Sequence, residues 1–224
     1  MKNIVGFAAH PDDLEFACNG TLYKFIRKGY SVTYVIITNG ENGFKAGKAD
    51  SEERIKIRKK EQQAAAEKLG VKEVIFLDYK DGFLEYTEEL RSKLVTILKT
   101  YKPEIIFTFD PSNQEFDNIN LFHRDHRITA QAVFDACFAA KNFWMYPDEP
   151  YMVETIYFFG THKPNHFEDI TDLFDFKLEC LACHKSQFPD FSKVKEFIKS
   201  EICCLSDKYK YSEGFRIFNI KQIT

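Results

Sequence analysis

Nowhere in the 224 residues does an apolar run approach the roughly 18 residues of a membrane-spanning helix. The first apolar stretch, residues 3–7, gives way to His10 and two aspartates before it could serve as the core of an export signal. The chain therefore reads as cytoplasmic, with no membrane partner. A charge excess of one sign is also missing: 31 basic against 34 acidic residues leave a formal charge of -3, without the basic surplus of a nucleic-acid binder. A small-molecule substrate suits that balance better. No Gly-x-Gly-x-x-Gly follows the first predicted strand, so a nicotinamide dinucleotide lacks its phosphate cradle. Six cysteines, at 18, 137, 180, 183, 203 and 204, come without a secretory signal, so disulfides are not expected and most read as small buried hydrophobes. Repeats, low-complexity tracts and linkers are absent too. That leaves one domain over residues 1–224, a length that suits a sheet covered on both faces.

What is present alternates in type. Strands are predicted at 3–7, 31–38, 74–77, 104–109 and 152–159, where β-branched and aromatic residues cluster. Helices are predicted from about Phe16 to Gly29, then over 50–69, 86–100, 123–140, 172–187 and 192–208, with Gly29 and Gly70 as stops and Pro103 closing the third. The 50–69 helix is charged and amphipathic. A glycine-rich loop at 39–48 and a long polar loop at 110–121 follow strands 2 and 4. The pattern is that of an α/β protein, a Rossmann-like three-layer α/β/α sandwich with a mostly parallel sheet. If strand order begins 3-2-1-4, strands 1 and 4 are neighbours at the switch point where ligands bind beyond the carboxyl ends.

Two constellations fall at those ends. His10-Pro11-Asp12-Asp13 follows strand 1, and His123-Arg124-Asp125-His126 lies beyond strand 4. Either alone reads as a polar turn. Together they supply the imidazole and carboxylate donors that zinc takes in a catalytic site with three protein ligands and a water. His10, Asp13 and His126 are the expected metal ligands, and Asp12 is left free as general base. His123 is placed to polarise a substrate carbonyl or protonate a leaving nitrogen, and Asp125 to orient one of the imidazoles. Arg58, near the start of a helix whose preceding loop lies on the same rim, is the expected substrate-binding cation.

Other signals carry less. Cys180-Leu-Ala-Cys-His184 matches the haem-attachment string, but it sits in a helical pattern of a chain without an export signal. The basic residues of 54–60 are interleaved with glutamates, as on a solvated helix face. His162, His166 and His184 each read as hydrogen-bonded structural histidines.

The motif residues also carry a resemblance. Ala8-x-His10-Pro11-Asp12-Asp13 with His123-x-Asp125-His126 resembles the signature of the PIG-L / LmbE-like zinc-dependent N-deacetylases. Arg58-Lys-Lys-Glu61, His184-Lys-Ser-Gln187-Phe188 and Ser212-Glu-Gly-Phe-Arg216 are similar to the bacterial branch that includes the bacillithiol-pathway N-acetylglucosaminyl malate deacetylases. The resemblance implies a zinc ion, with ferrous iron as the alternative, held by His10, Asp13 and His126. It also implies Asp12 as base, His123 as auxiliary histidine and Arg58 as the arginine contacting substrate. The implied reaction removes an N-acetyl group from an N-acetylglucosamine-type amino sugar, releasing acetate and the free amine. A homo-oligomer, trimer or hexamer, is implied as well. Arg124 departs from the proline many relatives carry, and the 110–121 loop departs in length. The rivals are an amidase acting on another small amide, such as a thiol conjugate, and a metal- or carbohydrate-binding module without catalysis.

Overall fold

A run of β-branched and aromatic residues with no polar face can be satisfied only inside a sheet covered on both sides, and that is where Ser31–Thr38 lies, buried along its whole length as strand β2. The computed structural model describes residues 2–113, 123–203 and 206–220. Its seven-stranded sheet has the order β3-β2-β1-β4-β5-β7-β6, built from β1 (Asn3–Ala8), β2, β3 (Glu73–Tyr79), β4 (Ile105–Phe109), β5 (Thr155–Phe159), β6 (His166–Asp169) and β7 (Ser212–Asn219). The first five strands run parallel, and β7 and then β6 add antiparallel pairs at one edge. The expected 3-2-1-4 order is present. β1 pairs with β4 from Ile4↔Ile105 to Gly6↔Phe107, so the loops leaving both strands share a rim.

Alternate residues of β1 feed two cores. Val5 and Phe7 pack with Val35 and Ile37 under helices α4 (Glu88–Tyr101) and α5 (Arg124–Ala140). Ile4 and Ala8 pack with Tyr34 and Ile36 on the opposite face, under α1 (Asp13–Ala17), α2 (Asn19–Arg27), α3 (Ser51–Leu69) and α6 (Phe174–Leu181). A last helix, α7, covers Phe191–Phe197. Asp50 caps α3 by accepting the Glu53 N–H, and Gly70, at φ 90, ends it. No helix among the described residues is long and apolar enough to cross a membrane.

Four expectations need correcting. The helix expected from Phe16 begins at Asp13 and breaks at Cys18, whose φ of -152 divides it into α1 and α2. The break exposes a helix N-terminus inside the protein, and Glu213 of β7 fills it, accepting from Gly20 N (3.0 Å), Thr21 N (2.7 Å) and Thr21 Oγ1 (2.6 Å). Favourable placement of a carboxylate at a helix N-terminus is what offsets the interruption. The helices expected over 172–187 and 192–208 are shorter. α6 stops at Leu181 because His184–Phe188 turns back across α3, where Glu61 accepts from Ser186 N (2.7 Å) and Ser186 Oγ (2.6 Å). α7 gives way to a π turn at Ile198–Ile202. The outer strands β7 and β6 are additions. His-Phe-Glu-Asp and Ser-Glu-Gly-Phe-Arg-Ile-Phe-Asn mix polar and apolar residues too evenly to stand out as buried strands, and their hydrogen-bond partners are distant in sequence. Of the polar loop expected at 110–121, residues 114–121 lie outside the described residues.

Glu213 also receives the ammonium of a fully buried Lys177 at 2.8 Å, and the same Nζ donates to Glu15 O (2.7 Å) and Asn19 Oδ1 (3.0 Å). One lysine thus joins α6 to β7, α1 and the start of α2.

Candidate metal and catalytic site

The loop from His10 to Asp13 turns tightly where β1 ends, and α5 begins at the far side with His123 as its N-cap residue. His10 Nδ1 lies 3.2 Å from His126 Nε2 and 3.6 Å from Asp13 Oδ2, and His126 Nε2 lies 3.2 Å from Asp13 Oδ1. The structure therefore brings the three expected ligands into one triangle, which Asp13 closes through two different oxygens. Donors held about 2.0–2.1 Å from a tetrahedral zinc are roughly 3.3 Å apart, and the His10–His126 pair has that spacing. The sets whose single donor atoms all lie within 4.8 Å of one another are His10, His123 and His126, and His10, Asp81, His123 and Asp125. The donor chemistry agrees. His10 Nε2 lies 3.1 Å from Asp81 Oδ1 and 3.2 Å from Asp125 Oδ2, so its Nε2–H is claimed by carboxylates and the Nδ1 lone pair faces the other donors. These residues fit a divalent cation, and His123 adds a further nitrogen within 4.8 Å of the His10 and His126 donors.

The carboxylates decide the charge state of the cluster. Burial pulls the His10 imidazolium down, but hydrogen bonds to Asp125, Asp13 and Asp81 outweigh it and hold the ring well above its ordinary pKa. Asp13 is buried, which opposes ionisation, yet His126 and His10 keep it far below the usual carboxylate range. A cation held at these donors would take the place of the proton that the three acids stabilise. The His126 ring stacks on Phe109 with centroids 4.1 Å apart, fixing its plane from the end of β4.

Asp12 is turned away from the triangle. Its backbone adopts φ 99, ψ -25, and its carboxylate accepts from Arg58 Nη2 at 3.3 Å. Burial raises the Asp12 carboxyl above its ordinary value, against the pull of Arg58. Arg58 is 1% exposed, and its Nη2 also donates to Pro11 O at 2.7 Å, while Nε and Nη1 have no hydrogen-bond partner among the described residues. The buried line of α3 is polar in its first half, Arg58 and Gln62, and apolar only at Ala65, Ala66 and Leu69. An amphipathic reading of that helix, with Arg58 as its one functional residue, missed the buried Gln62.

His123 accepts the Asp125 N–H at Nδ1 (3.2 Å), so in the neutral ring the proton is on Nε2. Burial, and then the nearby His10 and His126, lower its pKa below the ordinary histidine value. Asp125 orients His10, the histidine of the other loop, and anchors the 79–84 turn through Gly82 N (2.7 Å) and Leu84 N (3.3 Å).

Asp81 is the site residue that sequence reading missed. It is buried, reaches His10 from the turn after β3, and accepts from Asn42 N at 2.9 Å. The signal for it was positional: loops at the carboxyl ends of all the central parallel strands line one rim. His184 is fully buried with Nε2 3.4 Å from Glu15 Oε2, and Cys180 packs in the core, so the Cys180–His184 string is structural.

Gly40 holds the rim together from the β2 side. It sits at φ 64, and a Cβ there would lie 2.5 Å from Pro11 Cδ. Gly40→Ala therefore displaces the His10–Asp13 loop. Displacements near 1 Å cost about 10²-fold in well-positioned catalysts, so kcat falls at least about 10-fold. Steady-state kinetics alongside a melting curve check this, and unchanged kcat in a folded variant contradicts it.

Comparison with known proteins places these features. A family profile described as PIG-L, GlcNAc-PI de-N-acetylase, matches residues 5–137. The chain is 32% identical over 226 residues to the diacetylchitobiose deacetylase of Thermococcus kodakarensis, covering 96% of this chain and 83% of that one. It is 30% identical to the probable N-acetyl-alpha-D-glucosaminyl L-malate deacetylase 2 of Bacillus cereus, over 83% of this chain and 84% of the relative. Among solved structures, N,N'-diacetylchitobiose deacetylase from Pyrococcus horikoshii, complexed with its inhibitor MPG, superposes with a TM-score of 0.90 at 32% identity, covering 97% of this chain and 84% of that one.

Proposed function

The chain belongs to the PIG-L family of GlcNAc-PI de-N-acetylases, and from that premise we propose that it is a cytoplasmic zinc-dependent hydrolase that removes the acetyl group from an N-acetylglucosamine-type amino sugar, releasing acetate and the free amine. One observation carries the reading: His10, Asp13 and His126 face one another in a triangle of imidazole and carboxylate donors, while Asp12 beside them is tied to Arg58 instead. A binding module needs the triangle but has no use for a separate buried carboxylate.

A divalent ion held by His10, Asp13 and His126, zinc or ferrous iron, supplies Lewis acidity to the amide carbonyl and makes a water molecule more acidic. Asp12, made more basic by burial, takes the proton of the attacking water. His123, neutral near pH 7 and protonated at Nε2, donates a hydrogen bond to the carbonyl oxygen as negative charge develops there. Asp12 then returns its proton to the departing nitrogen. Asp81 and Asp125 keep His10 in the tautomer that presents Nδ1. Arg58, whose Nη2 holds Asp12 and the Pro11 carbonyl, is assigned to the substrate side of the base. Homo-oligomerisation, as trimer or hexamer, belongs to the same proposal, and exposed aromatics at Phe138 (56%) and Trp144 (90%) favour it.

The test is acetate release by the purified chain, loaded with zinc or anaerobically with ferrous iron, from N-acetylglucosamine, N,N'-diacetylchitobiose and N-acetylglucosaminyl malate. Acetate should appear from at least one, stop with a chelator and return with metal. Silence across the panel in metal-loaded protein rejects the activity, and full turnover by metal-stripped protein rejects the metal's role.

A further inference from the structure

We infer that Gln62 and Glu15, which touch neither substrate nor metal donors in the proposed reaction, are positioning residues that hold the general base Asp12 in its left-handed backbone conformation. The inference rests on the deacetylase reading for its kinetic consequence and on geometry alone for its structural one.

Asp12 is one of three non-glycine residues with positive φ among those described, the others being Asp78 and Lys102. Such a conformation persists only where its surroundings over-determine it. Here the determinant is Gln62, whose Oε1 accepts the Asp12 N–H at 2.9 Å. The same amide donates from Nε2 to both oxygens of Glu15, at 3.1 and 3.3 Å. Gln62 and Glu15 are both fully buried.

An amide has a donor end and an acceptor end, and an ionised carboxylate only accepts. The Glu15 carboxylate thus forces Nε2 towards itself and Oε1 towards Asp12. Glu15 is in turn fixed from behind: its carbonyl accepts from Lys177 Nζ at 2.7 Å, and its Oε2 faces His184 Nε2. Gln62 stands one turn beyond Arg58 on α3, so a single helix grips the carbonyl of residue 11 and the amide and carboxylate of residue 12. None of the hydrogen bonds Gln62 makes among the described residues goes to His10, Asp13 or His126. Its loss should move the base without emptying the metal site.

The experiment compares Gln62→Leu, Gln62→Glu and the double variant Glu15→Gln/Gln62→Glu with wild type, as metal-loaded full chains acting on whichever N-acetyl sugar the wild type turns over. Gln62→Leu is expected to lose about 10²-fold in kcat, with KM and metal content unchanged. Gln62→Glu sets two carboxylates against each other and should lose a similar factor. The double variant restores the pattern, since Glu at 62 accepts from both Asp12 N–H and the new amide at 15, and should recover at least about 10-fold over Gln62→Glu. A role in stability alone would lower the folded fraction without splitting kcat from KM. Hydrogen exchange at the Asp12 amide gives a reading independent of turnover: slow in wild type, fast in Gln62→Leu, with core amides unaffected. If Gln62→Leu does not fold, Gln62→Met and the double variant decide by the same readings. Wild-type kcat or unchanged Asp12 exchange in a folded Gln62 variant overturns the positioning role. An inactive wild type overturns the deacetylase reading instead, and leaves the exchange measurement to decide this one.

Discussion

Replacing Asp12 with alanine is expected to lower kcat by about 10³-fold while leaving bound metal at the wild-type level. The split follows from where the carboxylate goes. Its partner is Arg58, at 3.3 Å, whereas Asp13 turns its two oxygens to His126 and His10, at 3.2 and 3.6 Å. Asp13→Ala is the matching control, because it should lose the metal and the activity together. Metal analysis beside steady-state kinetics separates the two variants. An Asp12→Ala enzyme that keeps full activity would falsify the assignment of the base. The loss should also show in KM less than in kcat, since proton transfer belongs to the transition state and not to the bound ground state.

The second large effect concerns stability. Lys177→Met leaves the Glu213 carboxylate buried without its cation, and breaking one half of a buried pair costs about 3–5 kcal/mol. Domains of this kind are stable by only about 5–15 kcal/mol, so the variant should unfold at much lower denaturant or not accumulate at all. The double variant Lys177→Met/Glu213→Leu should recover part of the loss, because it removes the orphaned charge. It also takes the carboxylate from the start of α2, so recovery should be incomplete. Burial works against the Lys177 charge, and Glu213 outweighs it, holding the ammonium above its ordinary pKa. A raised pKa stabilises the fold below the unfolded lysine value and loses that contribution only as pH rises through the folded one. The pair therefore contributes fully at neutral pH, and its loss belongs to alkaline solution. A denaturation midpoint of Lys177→Met equal to wild type at pH 7 would contradict this account.

Much of the fold and of the site is legible in the sequence itself. β-branched and aromatic runs located β1, β2 and β4 because those strands are largely buried, with only small hydroxyl residues such as Thr33 and Thr108 among their buried polar side chains. The adjacency of β1 and β4 followed from connection rules, and with it the meeting of His10 with His126. Caps at Asp50 and Gly70 set the ends of α3 to within a residue. What escaped reading depends on partners far along the sequence. Asp81 becomes meaningful only when the turn after β3 folds over His10, and the break at Cys18 only when Glu213 arrives to fill the gap. Arg58 was expected from its place on the rim, but the bonds of its Nη2 to the carbonyl before the base and to the base itself are a pairing no local pattern encodes. The outer strands β6 and β7 mix polar with apolar residues and take their pairing partners from distant segments, so neither carries an apolar run that marks it in the sequence.

The reach of Glu213 has a consequence for the timing of biosynthesis. Its partner Gly20 is 193 residues earlier in the chain, at the start of the helix that follows the His10–Asp13 loop and α1. Every proposed ligand and catalytic group has left the ribosome long before that carboxylate is made. A nascent chain carrying the whole motif set is still short of the carboxylate that fills the start of α2.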